Sequence, residues 1–269
     1  MSGVGFEGGF WEHVDALRSV LLRIALVMVV LGVCAFIAMP WIFDHFIMAP
    51  CSPDFPTYRL FDSVASATGF SELATTADFR VDIVSVELAS QFFTHMSASG
   101  WCALIAGFPI VLYLLWGFIS PALHEHEKSG ARRAFLGGNA LFYCGAAVGY
   151  FLVFPLALRF LSQYSLSEAI RPIVSLDSYM DNFFTLLLAM GITFELPLLA
   201  WLLGKAGLLD RSFFSRFRRH AIVALLIIAA LITPTGDPFT LLIVFLPVYL
   251  LWEGAALLVP AAKGADKEL

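Results

Sequence analysis

Ile24 to Phe43 is a run of twenty residues without one charged side chain. A bilayer hydrocarbon core about 30 Å thick needs roughly 20 helical residues to cross it. Inside such a core no water is available to the backbone, so the run has to pair its own amides and carbonyls as a helix. Composition generalises this constraint to the whole chain. Of 269 residues, 59% are apolar and only 14% are charged, and mean hydropathy is +0.84. A soluble domain carries about 25% charged residues, so a soluble globule is excluded. Disorder requires low hydrophobicity and high net charge, and is excluded too. A net charge of -5 argues against a nucleic-acid partner, which selects a basic surplus. The chain reads as an integral membrane protein.

Five further apolar runs follow, at about 92–118, 134–158, 183–203, 221–232 and 239–259. We therefore expect one all-α polytopic domain over 1–269 with six transmembrane helices. The run 221–232 has only twelve residues, so thinning of the bilayer or a water cavity is expected around it. Before the first span, Trp11, Val14, Leu17 and Leu21 recur at helical spacing. They predict a short amphipathic helix over 1–23 lying at the membrane surface. The acidic start, with Glu7, Glu12 and Asp15, is unlike a cleavable signal peptide. Three external loops are expected, 44–90, 159–182 and 233–238. Within the first, 61–73 reads as one or two short helices, and 79–86 alternates like a strand.

Six spans put both termini on one side. Of sixteen Lys and Arg, only Arg59, Arg80, Arg159 and Arg171 fall in the expected external loops. The 12:4 bias places both termini in the cytoplasm by the positive-inside rule. The four cysteines Cys34, Cys51, Cys102 and Cys144 show no CxxC spacing and read as small apolar fillers.

Chemistry is sought where charge is out of place. Pro121-Ala-Leu-His-Glu-His-Glu127 presents Glu125 and Glu127 on an otherwise basic face. Carboxylates bind guanidinium groups through paired, charge-assisted hydrogen bonds, so this segment suits an arginine-bearing ligand. A solvated loop balancing Lys128 and Arg132 is the plainer alternative. His124 and His126 beside these acids resemble a metal site only weakly, and no metal or cofactor is expected. Glu195 lies within an apolar run, where an ionisable group costs about 2.5–3.5 kcal/mol. It reads as a proton carrier, as a polar contact for a partner helix, or as a protonated acid bonded to Thr193 or Thr185. Asp237 sits between Gly and Pro, the ordinary chemistry of a turn. Glu253 approaches the interface, where it snorkels, caps or lines a cavity. GxSxG, HExxH, Walker and dinucleotide motifs are all missing, so no enzyme is expected.

Together these segments resemble a known family. Phe10-Trp-Glu-His-Val-Asp-Ala-Leu-Arg18 resembles the opening FLEHLEELR of the TatC family, and Trp116 to Glu127 resembles WxFIxPALYxHE. Phe151-Leu-Val-Phe-Pro155 is similar to YFxVFP, Gly191 to Pro197 to GxxFExP, and Ile232 to Pro238 to the TPxxDP turn. The five motifs come in order, and the match runs from about Phe10 to Glu253. The resemblance implies the large subunit of the twin-arginine translocase of the bacterial inner membrane, which is not an enzyme. It implies a receptor for paired-arginine signal peptides of folded cargo, with TatA/TatB-type single-span partners, an oligomeric complex and export driven by the proton-motive force. It further implies a cupped shape with short fifth and sixth helices. The implied signal-peptide residues are Glu127, Glu125, Asp15, Glu12, Arg18, Phe118 and Pro121. Glu195, Asp237 and Glu253 are the implied polar or partner contacts within and beside the membrane. Two positions depart from the family. Ala16 replaces a glutamate, leaving Asp15, Glu12 or Glu125 to supply a second carboxylate, and Thr240-Leu241 stands where Ser-Gln is usual. The alternative from another class is a proton-coupled small-solute transporter built around Glu195.

Overall fold

The computed structural model describes residues 7–68, 81–119, 125–167, 173–205, 207–233 and 235–259, with side chains described except at 7–13, 62, 64–68, 119 and 125–135. Ten helices carry the described chain: α1 Glu7–Ile42, α2 Pro56–Thr68, α3 Ser90–Ile119, α4 Glu125–Val148, α5 Phe154–Gln163, α6 Leu176–Thr193, α7 Leu196–Lys205, α8 Arg211–Arg216, α9 Arg218–Ile232 and α10 Pro238–Leu258. Two two-residue strands, β1 Ile83–Val84 and β2 Val174–Ser175, pair in parallel with Ile83 opposite Val174. Among the described residues, five helical stretches are long and apolar enough to cross a membrane. The expected run 221–232 is the helix α9, which at fifteen residues spans about 22 Å and falls short of the bilayer core.

Several expected boundaries move. The surface helix and the first span are one helix, α1, of thirty-six residues. No Pro interrupts it before Pro40, so nothing in the sequence compels a turn after Arg23. Residues 176–182, expected in a loop, open α6 instead. There Ser175 accepts from the Ser178 amide at 3.3 Å and Asp177 occupies the first turn. Capping outweighs the polarity that made the segment look like a loop. Glu125 and Glu127, also expected in a loop, lie in the first turn of α4, where the helix dipole favours carboxylates. Of the strand expected over 79–86, the described residues 81–86 hold only β1, and 79–80 lie outside the described set. The helix expected within 61–73 begins earlier, at Pro56, and residues 69–73 are outside the described set.

The chain divides into two compact units, Met1–Met39 with His95–Asn139 and Pro40–Thr94 with Ala140–Leu269. In the first, α1 and α3 approach through small residues. A Cβ on Gly107 would stand 3.0 Å from Leu31 Cδ1 and 3.1 Å from Met28 Sδ. His95 stacks on Phe36 with ring centres 3.9 Å apart.

In the second unit α4 and α6 approach still more closely. A Cβ on Gly145 would lie 2.5 Å from the Met190 carbonyl oxygen, and one on Gly191 would lie 2.7 Å from the Phe142 ring. Only glycine permits these backbones to touch. Around them Tyr150, Phe154, Tyr179 and Phe183 form an aromatic core with mostly edge-to-face contacts. Asp177 joins the starts of α6 and α3, accepting from Ser90 Oγ at 2.7 Å and more distantly from Thr94 Oγ1.

Prolines set a pattern in these helices. A proline has no N–H to give the carbonyl four residues before it. Pro40 frees Phe36 O, and His95 Nε2 lies 2.9 Å from that oxygen. Pro50 frees Phe46 O inside the π-helical turn Phe43–Ile47, and the Tyr150 hydroxyl donates to it at 2.9 Å. Pro155 frees Phe151 O inside the second π-helical turn, Gly149–Val153, and Thr57 Oγ1 donates to it. Tyr179 donates to Ile47 O in the first of these turns, and Tyr58 donates to Pro50 O and Pro155 O. In a medium without water each freed carbonyl requires such a donor.

Candidate functional site

Two groups of residues carry the candidate chemistry. The first is the acid-bearing region at the start of α1 and of α4. Asp15 and Arg18 are exposed. They line a shallow groove along α1 with Ser19, Leu22, Arg23 and Leu26. Phe118 is half-buried at the end of α3. Glu12, Glu125 and Glu127 lie on the helical backbone of α1 and α4, but their side chains are outside the described set, as is Pro121 altogether. His124 is likewise outside it. Among the described residues no group of His, Cys, Asp and Glu could hold a metal ion.

The second group comprises Glu195, Asp237 and Glu253, and the structure separates them. Pro197 cannot continue α6, and the helix breaks at Phe194–Glu195 before α7 resumes. At the break the Glu195 amide donates to Ile192 O at 3.0 Å and the Glu195 carbonyl accepts from Leu199 N. The carboxyl itself is half-buried. Its Oε1 is enclosed and has no hydrogen-bond partner among the described residues. Thr193, one donor considered for it, gives its hydroxyl to Ala189 O at 2.6 Å. Among the described residues, an acidic oxygen on an apolar helical stretch is therefore enclosed without a protein donor.

Asp237 is a helix cap. Its Oδ1 accepts from the Thr240 amide at 2.7 Å and its Oδ2 from Thr235 Oγ1 at 2.7 Å, while Gly236 supplies the positive φ of 59° that the turn needs. Partial burial pushes the Asp237 carboxyl up, but the donors from Thr235, Thr240 and Phe239 together outweigh it, and the group sits below its ordinary range. Glu253 lies sixteen residues further along α10, about 24 Å at helical rise. It accepts from Arg218 of α9 at 2.7 Å and from Tyr249 at 2.8 Å. Arg218 and the proline-freed carbonyls with their donors were not singled out from sequence. The signal for the carbonyls is available, because each lies four residues before a proline; the donors, far away in the chain, leave none.

A mostly helical chain with, among the described residues, five apolar helical stretches of membrane-crossing length and an enclosed carboxyl at a helix break is a polytopic membrane protein. Its particular kind follows from its relatives. The family described as Sec-independent protein translocase protein (TatC) matches residues 12–247. The Sec-independent protein translocase protein TatC of Blattabacterium is 31% identical over 252 residues, covering 92% of this chain and 93% of its own. The Haemophilus influenzae protein of the same description is 30% identical, covering 100% of this chain and 95% of its own. A solved structure described as the twin arginine translocase receptor TatC in DDM superposes with a TM-score of 0.72 at 28% identity, over 92% of this chain and 99% of that one. The chain belongs to the TatC family of Sec-independent protein translocases. That family is a translocase component and not a known class of enzyme, and the small-solute transporter alternative is not favoured.

Proposed function

We propose that this chain is the signal-peptide receptor of a twin-arginine translocase in a bacterial inner membrane. The observation that carries this reading is the family match over residues 12–247, which takes in both acid-bearing segments. Glu127 and Glu125 on the first turn of α4, with Asp15 and Glu12 on α1, receive the two guanidinium groups as bidentate pairs. Arg18 orients the acids, and Phe118 and Pro121 flank the peptide. α9 is the short fifth of six spans, and both termini lie in the cytoplasm, in keeping with the distribution of Lys and Arg. TatA/TatB-type single-span proteins assemble on the same membrane domain for export driven by the proton-motive force. Glu195 offers their helices a polar contact, supported by the missing donor at its Oε1. Asp237 orders the turn before α10, and Glu253 fixes α10 to α9.

The test is co-purification of the chain in detergent with a precursor whose signal carries Arg-Arg or Lys-Lys. Retention of the Arg-Arg precursor and loss of the Lys-Lys form is expected, because an ammonium cannot make the planar two-point contact. Equal retention of both, or of neither, contradicts the reading.

A further inference from the structure

The connection from α7 to α9 carries charge that none of the interactions above uses. Residues 205–219 hold five bases, Lys205, Arg211, Arg216, Arg218 and Arg219, against the single acid Asp210, in a chain of net charge -5. Arg218 is taken by Glu253. Asp210 is committed to capping α8, its Oδ1 accepting from the Phe213 amide at 2.8 Å and from Ser212 Oγ at 2.9 Å. Those two donors hold the Asp210 carboxyl below its ordinary range. Lys205, Arg211, Arg216 and Arg219 are all exposed, and none forms a salt bridge with a carboxylate among the described residues.

The platform beneath these cations is fixed. Phe214 of α8 is buried with Ala200, Ala255 and Val259, and Leu209, Phe213 and Trp252 pack against that cluster. α8 is therefore clamped to α7 and α10. The same connection also exposes apolar side chains: Leu208 is 73% exposed and Leu203 41%. Arg216 lies over the Phe217 ring, 5.9 Å from its centre, and Lys205 over Trp201 at 5.5 Å. A free phosphate would use the cations and leave the leucines in water. A nucleic acid would do the same. A molecule with an anionic head and a hydrocarbon tail uses both, and the site adjoins the end of a membrane-crossing helix, Leu176–Lys205, where such molecules reside.

We propose that the α7–α9 connection binds an anionic phospholipid, its headgroup on Arg211, Arg216 and Arg219 and its acyl chain beside Leu203 and Leu208. The inference stands apart from the signal-peptide reading, since it uses none of the same residues.

The test uses the full chain in neutral detergent, with bound lipid measured by native mass spectrometry after addition of phosphatidylglycerol or phosphatidylcholine. The wild-type chain is expected to retain phosphatidylglycerol in preference. Each basic residue near an anionic headgroup contributes about fivefold, so Arg211→Gln/Arg216→Gln/Arg219→Gln should weaken retention roughly 100-fold. A control of equal charge loss, Arg59→Gln/Lys263→Gln/Lys267→Gln, should retain the lipid. Leu208→Asn, at an exposed position, should weaken lipid retention while leaving thermal unfolding unchanged, and it stands in for the triple variant if that fails to fold. Equal loss in the triple variant and its control, equal retention of phosphatidylcholine, undiminished retention in Leu208→Asn, or displacement of the lipid by millimolar inorganic phosphate would each overturn the proposal.

Discussion

The π-helical turns around Pro50 and Pro155 and the break before Pro197 are disturbed by the same residue type and resolved in opposite ways. At the π-helical turns each carbonyl four residues before a proline receives a donor from a distant segment, Tyr150 for Phe46 and Thr57 for Phe151, and Tyr179 donates to Ile47 O besides. At the break, Glu195 adds a carboxyl whose Oε1 receives none among the described residues. The cost of an unsatisfied buried group is about 1–3 kcal/mol, and more for a charge. Thr240 Oγ1 and Trp252 Nε1 are also enclosed without a partner among the described residues, but Glu195 is the one carboxyl among these groups. The comparison separates polar groups that hold the helices together from an acid whose enclosed oxygen lacks a donor.

Replacing a donor at the π-helical turns should have the largest effect on stability. Tyr150→Phe leaves the ring in place and strands Phe46 O, so unfolding in detergent, followed by circular dichroism, should show a loss of about 1–3 kcal/mol. An unchanged midpoint would mean that the Tyr150 hydroxyl is dispensable and that the contrast with Glu195 is false. Asp237→Ala should come next, at about 1 kcal/mol for a lost helix cap, with Asp237→Asn largely restoring it. Because the folded Asp237 carboxyl sits below its ordinary range, its contribution is complete above the unfolded value near 3.9 and is lost as pH falls through the folded one. Acid unfolding of Asp237→Asn should therefore lack that part of the pH dependence. Glu195→Gln should be the smallest, within about 0.5 kcal/mol of wild type, since no hydrogen bond to the enclosed oxygen is lost. A large destabilisation by Glu195→Gln would make Glu195 a structural acid and erase the distinction.

Much of this architecture was legible in the sequence. The second span, read as 92–118, is the helix Ser90–Ile119, and the last, read as 239–259, is Pro238–Leu258. Hydrocarbon thickness fixes such lengths, so uncharged runs report them directly. The short apolar run read as 221–232 lies in the helix α9, Arg218–Ile232. What sequence missed follows from two other causes. Helix ends are set by caps such as Ser175, which extend α6 into a polar stretch that hydropathy reads as loop. Donors to freed carbonyls come from far away, Tyr150 reaching Phe46 across 104 positions, and no local pattern reports them. Within the candidate site, the family motifs contain Glu195 and Asp237, and the position of Glu253 near the interface singled it out alongside them. Only the geometry distinguishes a cap and an interhelix ion pair from an acid whose oxygen lacks a donor.

The central claim is that the acids of α1 and α4 receive paired arginines, separately from whatever Glu195 does. The direct measurement is site-specific photocrosslinking of an Arg-Arg signal peptide to Glu127→Ala and to Glu195→Gln in membranes. The account predicts that Glu127→Ala abolishes the crosslink at unchanged protein level, while Glu195→Gln retains it. An undiminished crosslink to Glu127→Ala would contradict the account.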